Sequence, residues 1–314
     1  MIIAARIEEV RQVRWADPTL SWGFVPTMGY LHAGHLSLVR RARQENDRVA
    51  VSIYVNPTQF APTEDLSTYP RDLERDLALI KEVGTDLVFT PSDAVMYPPD
   101  CQTQVTVRDV SKPLEGASRP SHFVGVATVV TKLFNIVQPT RAYFGQKDAQ
   151  QTVVLRQMVR DLHINLDLIV CPTVREPDGL AMSSRNVYLS PAARVAATVL
   201  YRALSAAHDA VMAGQRQAEA LRQLLTEIIS AEPLARLDYV SAADPVTLTE
   251  LTHVTSGVLL SMAVFFGPTR LIDNILLEIA ECGRSQSPSS PLCGRSESSS
   301  FPAPTQSRRV RGAD

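Results

Sequence analysis

Cysteine is scarce in this 314-residue chain. The four present, Cys101, Cys171, Cys282 and Cys293, include no C-x-x-C pair. That argues against a zinc ribbon or a disulfide framework and suits a reducing compartment. Surplus charge is missing too: 31 Lys and Arg against 33 Asp and Glu leave a formal net charge of −2, so no global basic field points to nucleic acid. No apolar run approaches the ~20 residues a membrane helix needs. The opening "MIIAARIEEVRQVRW" has charges among its apolar residues, unlike a secretory signal. There is no G-x-x-x-x-G-K-[ST] phosphate loop and no internal repeat. What is there is 45% hydrophobic and 20% charged, ordinary for a globular protein and long enough for one large domain or two modest ones. The expectation is a cytoplasmic protein that engages neither membrane nor nucleic acid.

The first half alternates two kinds of pattern. Short runs rich in Val, Ile and Phe occur at 22–26, 49–55, 86–89, 142–145 and 166–171. Between them, helix-period segments cover 35–43, 70–83 and 123–138; in the first, Leu36, Val39 and Ala42 share a face. Strands alternating with helices predict a doubly wound, Rossmann-like parallel sheet covered on both faces, which makes this an α/β fold. Ligands of such sheets bind beyond the carboxyl ends of the strands, so the strand-to-helix turns are where chemistry is expected. Residues 191–231 then read as two helical stretches parted near Gly214, and 236–244 and 257–277 read as strands. This predicts a smaller C-terminal α+β domain. The expected division is 1–173, 174–280 and a Ser/Pro/Arg-rich tail, 281–314, too poor in apolar residues to order.

Three turns stand out. "TMGYLHAGH" (27–35) places two of only six histidines, His32 and His35, at the mouth of a helix, with Gly29 permitting a tight turn. Free N–H groups and the helix dipole make that end an anion site, and two imidazoles extend it to a polyphosphate cradle. A helix cap or a surface pair is the plainer alternative, and a metal pair lacks a third ligand at suitable spacing. "FGQKDAQQ" (144–151) ends a strand and starts a helix near Asp148, with Gln151 three residues on as in a capping box. Lys147, just outside that helix, opposes the dipole unless an anion lies between them. "REPDGLAMSSRN" (175–186) offers Ser183, Ser184 and the Arg185 fork to phosphate oxygens, or forms a plain turn. In "VNPTQF" (55–60), Gln59 follows a buried-type strand. Asp72 and Asp76, in the helix after "TYPR", read as solvated helix charges, with help to a phosphate-bound metal ion as the alternative.

In order and spacing these motifs closely resemble the pantothenate synthetase (pantoate–β-alanine ligase) family. The matching stretches are P-T-M-G-x-L-H-x-G-H at 26–35, V-N-P-x-Q-F at 55–60, Y-P-R at 69–71, F-G-x-K-D-x-Q-Q at 144–151 and D-G-L-A-x-S-S-R-N at 178–186. "GPTRLIDN" (267–274) looks like the family's C-terminal sheet, and the resemblance spans roughly 5–278. One departure is Ser121, before His122, where the family is expected to have glycine.

The resemblance implies ATP-dependent condensation of pantoate with β-alanine through a pantoyl adenylate, with Mg²⁺ accompanying ATP and with a homodimer formed through the first domain. It implies that Met28, Gly29, Tyr30, Leu31, His32, Ala33, Gly34 and His35 wrap the ATP phosphates. Gly145, Gln146, Lys147 and Asp148 would contact the nucleotide, Lys147 at phosphate and Asp148 at ribose. Val174 would offer its backbone to adenine, and Met182, Ser183, Ser184 and Arg185 would close over the phosphates. His32, His35, Lys147 and Arg185 would be catalytic. Gln59 and Gln151 would hold pantoate, with Gln59 also touching β-alanine. No dedicated protein metal site is expected. Rival readings are another H-x-G-H adenylyl transferase, such as an aminoacyl-tRNA synthetase, and a noncatalytic nucleotide sensor. The short, near-neutral chain without a tRNA-binding module opposes the first, and the complete phosphate-binding set opposes the second.

Overall fold

The computed structural model describes residues 1–62 and 64–279; the tail at 281–314, expected from composition to lack order, lies outside the described residues. Strands β1 (Ile2–Ala4), β2 (Trp22–Thr27), β3 (Arg48–Ile53), β4 (Leu87–Phe89), β5 (Arg141–Gly145) and β6 (Asp167–Cys171) form one sheet in the order β1-β4-β3-β2-β5-β6. Every neighbouring pair is parallel. Five of these strands fall on the apolar runs. β1 and the helix α1 (Ile7–Arg14) were not anticipated, because a three-residue edge strand is too short to show a period.

Alternation along each strand sends neighbours to opposite cores. Phe24, Ala50, Leu87, Phe89, Ala142 and Phe144 pack under α1, α6 (His122–Val137) and α7 (Ala149–Asp161). Val25, Val49, Val51, Val88 and Tyr143 pack under α2 (Ala33–Glu45) and α3 (Leu73–Glu82). Both faces are therefore dry, which is why the strands read as continuous apolar runs. The short helices α4 (Asp93–Met96) and α5 (Glu115–Ser118) lie in the connection between β4 and α6.

From β2 the chain steps outward through β3 to β4; it then returns to the other side of β2 with β5 and β6. The order therefore reverses between β2 and β5, which pair at Gly23↔Arg141 and Phe24↔Ala142. A crevice opens at such a reversal beyond the carboxyl ends of the strands. Here those ends carry the H-x-G-H turn and the Gln146–Asp148 turn.

Residues 191–231 hold three helices rather than two: α8 (Pro191–Ala196), α9 (Val199–Met212) and α10 (Ala218–Ser230). They cover one face of an antiparallel sheet made of β7 (Ala235–Ala243), β8 (Gly257–Phe266) and β9 (Thr269–Glu278). Val258, Leu260, Met262 and Val264 of β8 meet Leu200, Leu204, Leu221 and Leu225 of the helices. Residues 1–279 pack as one compact unit.

Candidate active site

The turn after β2 is built around a left-handed bend, Gly29 at φ +82° and Tyr30 at φ +50°. Tyr30 in that region is strained, since its Cβ crowds the backbone. Asp76 of α3 holds the bend: its Oδ2 accepts from the Tyr30 N–H and its Oδ1 from the Leu31 N–H, both at 2.7 Å. Asp76 is 1% exposed, and burial raises its carboxyl pKa. The solvated charge expected there is instead a buried clamp. Asp72 is also employed, accepting from the Arg75 N–H as the cap of α3.

The two histidines cap α2 and cap each other. His32 Nδ1 accepts from the Gly34 N–H at 3.2 Å, and His35 Nδ1 accepts from the His32 N–H at 3.3 Å. The rings are tilted, with centroids 4.0 Å apart. Gly34 is required sterically, because a Cβ there would lie 2.9 Å from the His32 ring. The capping alternative is thus correct, and it also prepares anion binding. With both Nδ1 atoms accepting, each neutral ring carries its proton on Nε2. Burial, followed by the charge of Lys147, lowers the His32 pKa to about 4. Burial and His32 push His35 well below the ordinary histidine value. Near neutral pH the helix mouth therefore offers two uncharged N–H donors.

The second turn, Gln146–Asp148, runs into α7. The capping box expected of Asp148 and Gln151 does not form: the Asp148 side chain makes no cap bond and instead accepts from Lys147 Nζ at 3.4 Å. The reason lies in the geometry, since Asp148 belongs to a tighter helical turn that continues into α7. Gln151 is half-buried and without a hydrogen-bond partner among the described residues, whereas its neighbour Gln150 is 5% exposed and fully employed.

Three further pieces complete the walls. Ser183 accepts from the Arg185 N–H, and the buried Ser184 donates to the Tyr30 carbonyl, tying this loop to the first turn. The Arg185 fork, expected to be open to phosphate, grips Asp65 at 2.8 and 2.9 Å and lies over the Tyr69 ring at 5.6 Å. Gln59 accepts from Asn56 Nδ2 at 3.2 Å and directs its own Nε2 to Met28 Sδ at 3.0 Å. Its backbone carbonyl accepts from His122 Nδ1 at 2.9 Å.

These pieces surround a cleft of about 1310 Å³, larger than the ~300–1,000 Å³ usual for one small ligand, so it has room for several substrates. Met28, His32, Gly34 and His35 line it, as do Gln59, Gly145, Lys147, Asp148 and Gln151. Val174, Met182, Ser183, Ser184 and Arg185 form another part of the wall. Gly29, Tyr30, Leu31, Ala33 and Gln146 do not line it. Leu31 is in the core, Ala33 faces solvent and Gln146 is held by Asn274. The Val174 carbonyl already accepts from the Met182 N–H at 3.0 Å.

Acidic side chains of the cleft are matched with cations: Glu64 with Arg119, Asp65 with Arg185, Asp148 with Lys147, Glu115 and Asp238 with Arg270, and Asp273 with Arg175. No group of three metal-ligating side chains occurs among the described residues. The imidazole N–H, lysine and hydroxyl donors of the cleft suit an anionic ligand.

A family model described as pantoate-beta-alanine ligase matches residues 2–276. The chain belongs to the pantoate-β-alanine ligase family. Pantothenate synthetase of Roseiflexus castenholzii is 62% identical over 278 residues, 88% of this chain and 100% of that protein. That of Herpetosiphon aurantiacus is 59% identical over 280 residues, again 88% of this chain and all of the relative. Among solved structures, pantothenate synthetase from Thermus thermophilus superposes with a TM-score of 0.84 at 50% identity, covering 88% and 99% of the two chains. The pantoate-β-alanine ligase of Francisella tularensis, solved with β-γ ATP and β-alanine, gives 0.72 at 36% identity, covering 88% and 97%.

Ser121 leaves His122 in place. The imidazole is 9% exposed, donates from Nδ1 to Gln59 and accepts at Nε2 from Arg119 at 3.3 Å. Burial, then Arg119, lowers its pKa to about 4. Asp65, Asn56 and Asn274 were not singled out as parts of the site, and Asp76 was weighed only as an aid to the metal ion or a solvated charge. Asn56 and Asn274 were visible only as letters of their motifs.

Proposed function

We infer that this chain condenses pantoate with β-alanine at the expense of MgATP, through a pantoyl adenylate. The observation that carries the reading is the meeting, at the β2/β5 reversal, of the paired imidazole N–H donors, Lys147 and the Ser183–Arg185 loop, in one cleft with the amide of Gln151, unpartnered among the described residues. A carboxylate is a poor acyl electrophile because its oxygens leave badly. In the first step one pantoate carboxylate oxygen attacks the α-phosphorus, the bond to the bridging oxygen breaks and pyrophosphate departs. In the second, the β-alanine amine attacks the carbonyl carbon, the carbon–oxygen bond to phosphate breaks, AMP leaves and the nitrogen loses its extra proton.

The protein's part is positioning and charge neutralisation. His32 and His35 donate from Nε2 to phosphate oxygens, and Lys147 supplies the adjacent positive charge. Arg185 joins them by exchanging Asp65 for phosphate. Asp148 faces the ribose hydroxyls and the Val174 backbone faces adenine. Gln59 and Gln151 orient pantoate with neutral amides, leaving a carboxylate oxygen free to attack, and Gln59 also meets β-alanine. Mg²⁺ bound to ATP would supply further neutralisation of phosphate charge beside Lys147 and Arg185. The division at 173/174 separates the half that binds ATP and pantoate from the half that covers it. We further propose a homodimer formed through the first half and a cytoplasmic location, the latter supported by Cys101 and Cys171, which form no disulfide among the described residues.

The test is exchange of labelled pyrophosphate into ATP with pantoate and Mg²⁺ present and β-alanine absent. Exchange that depends on pantoate is expected; exchange that needs a different acid would refute the assignment.

A further inference from the structure

We propose that Asn274, on the C-terminal sheet, is a positioning residue for Lys147: its buried amide grips the backbone of the turn that carries the lysine. The inference rests on the reading of Lys147 as a phosphate-binding cation.

Asn274 is 4% exposed and lies on β9, 128 residues from Gln146 in sequence. Its Nδ2 donates to the Gln146 carbonyl at 3.0 Å and to the Lys147 carbonyl at 2.8 Å. Its Oδ1 accepts from Gln146 Nε2 at 3.0 Å. Both amide protons are thus used on consecutive carbonyls. The asparagine is itself anchored, since its backbone N–H donates to Asp273 Oδ1 at 2.8 Å. Asp273, 1% exposed, is in turn held by the Arg175 fork at 2.6 and 3.0 Å.

Among the described residues the turn has no other side-chain anchor of this kind. Neither Gly145 nor Asp148 supplies a capping side chain to the helical segments they precede. In a trans peptide the C=O and N–H point in opposite directions. Drawing the Gln146 carbonyl to Asn274 therefore turns the Lys147 N–H away from β9. Drawing the Lys147 carbonyl does the same for the Asp148 N–H. Asn274 so sets the root of the Lys147 side chain and the direction of two N–H groups at the N-terminal end of α7. Through it, docking of the C-terminal sheet and the catalytic readiness of the nucleotide turn become one event.

Asn274→Asp keeps the shape and the acceptor for Gln146 but sets a second oxygen against two carbonyls. Pantoate-dependent pyrophosphate exchange is measured in wild type, Asn274→Asp, Lys147→Ala and the double variant, with melting temperature recorded for each. Expected is a fall in kcat of at least about tenfold for Asn274→Asp with pantoate KM changed less than about twofold. In the Lys147→Ala background the same change should alter kcat less than about twofold, because residues acting as one unit are not additive. A residue that only holds the fold would give the same factor in both backgrounds, and that result, or a wild-type rate for Asn274→Asp, overturns the proposal. Should Asn274→Asp not fold, Asn274→Ser, which retains one donor, is measured in the same cycle against the same two outcomes. Absence of pantoate-dependent exchange in the wild type, or an unimpaired Lys147→Ala, would instead strike the functional reading on which the proposal rests.

Discussion

Replacing Gln150 and Gln151 by alanine, one at a time, should separate folding from recognition in two adjacent residues of identical chemistry. The Gln150 Oε1 accepts from the Glu115 N–H at 2.9 Å, and its Nε2 donates to the Val110 and Pro113 carbonyls at 3.0 and 2.7 Å. Alanine would strand three backbone groups. Each buried orphan costs ~1–3 kcal/mol, so after partial relaxation the loss should reach ~2–5 kcal/mol. For a body of this size that corresponds to a melting temperature lower by on the order of 3–9 °C. Gln151, half-buried and unpartnered among the described residues, should cost no more than ~0.5 kcal/mol in stability. Its loss should fall on pantoate. A hydrogen bond to a charged group is worth ~1.5–3 kcal/mol, which is ~10–150-fold in affinity. Thermal melts, together with kinetics at varied pantoate and saturating ATP, read both quantities. A Gln151→Ala enzyme with an unchanged pantoate KM, or with the melting shift expected of Gln150→Ala, would refute this division of labour.

Lys147→Ala and His35→Ala should each lower kcat ~10²–10³-fold, the scale of one electrostatic donor, while leaving pantoate affinity nearly unchanged; a His35→Ala enzyme with near-normal kcat would reduce that residue to its capping role. Gly34→Ala should force the His32 ring off the helix mouth, because the new Cβ would sit 2.9 Å from it, costing ~1 kcal/mol in stability with the lost cap and visibly more in exchange rate; equal retention of both would contradict the tight fit. Stability should also depend on acid. Burial holds His32 and His122 at about 4, below the ordinary 6.5, so on acidification the unfolded chain takes up protons first. Their contribution is whole above about 6.5 and is lost as pH falls through about 4. Melting temperature should therefore decline across that window, less steeply in His122→Asn, and an identical slope in that variant would count against a buried neutral imidazole.

What the sequence determined by itself is local. The periods of apolar residues marked five of the six parallel strands, because alternating two-sided burial leaves continuous Val, Ile and Phe runs. The H-x-G-H turn was readable as a helix mouth, since capping and glycine stereochemistry act over three or four residues. Tertiary structure decided the rest. Only strand order places β2 beside β5 and so brings the His32 and Lys147 turns to one crevice. Burial alone distinguishes Gln150 from Gln151. The Asp65–Arg185 grip joins residues 120 apart, and Asp76 reaches a bend 46 residues earlier. Such pairs leave no periodic trace, because their energy depends on which surfaces the folded chain presses together and shuts away from water.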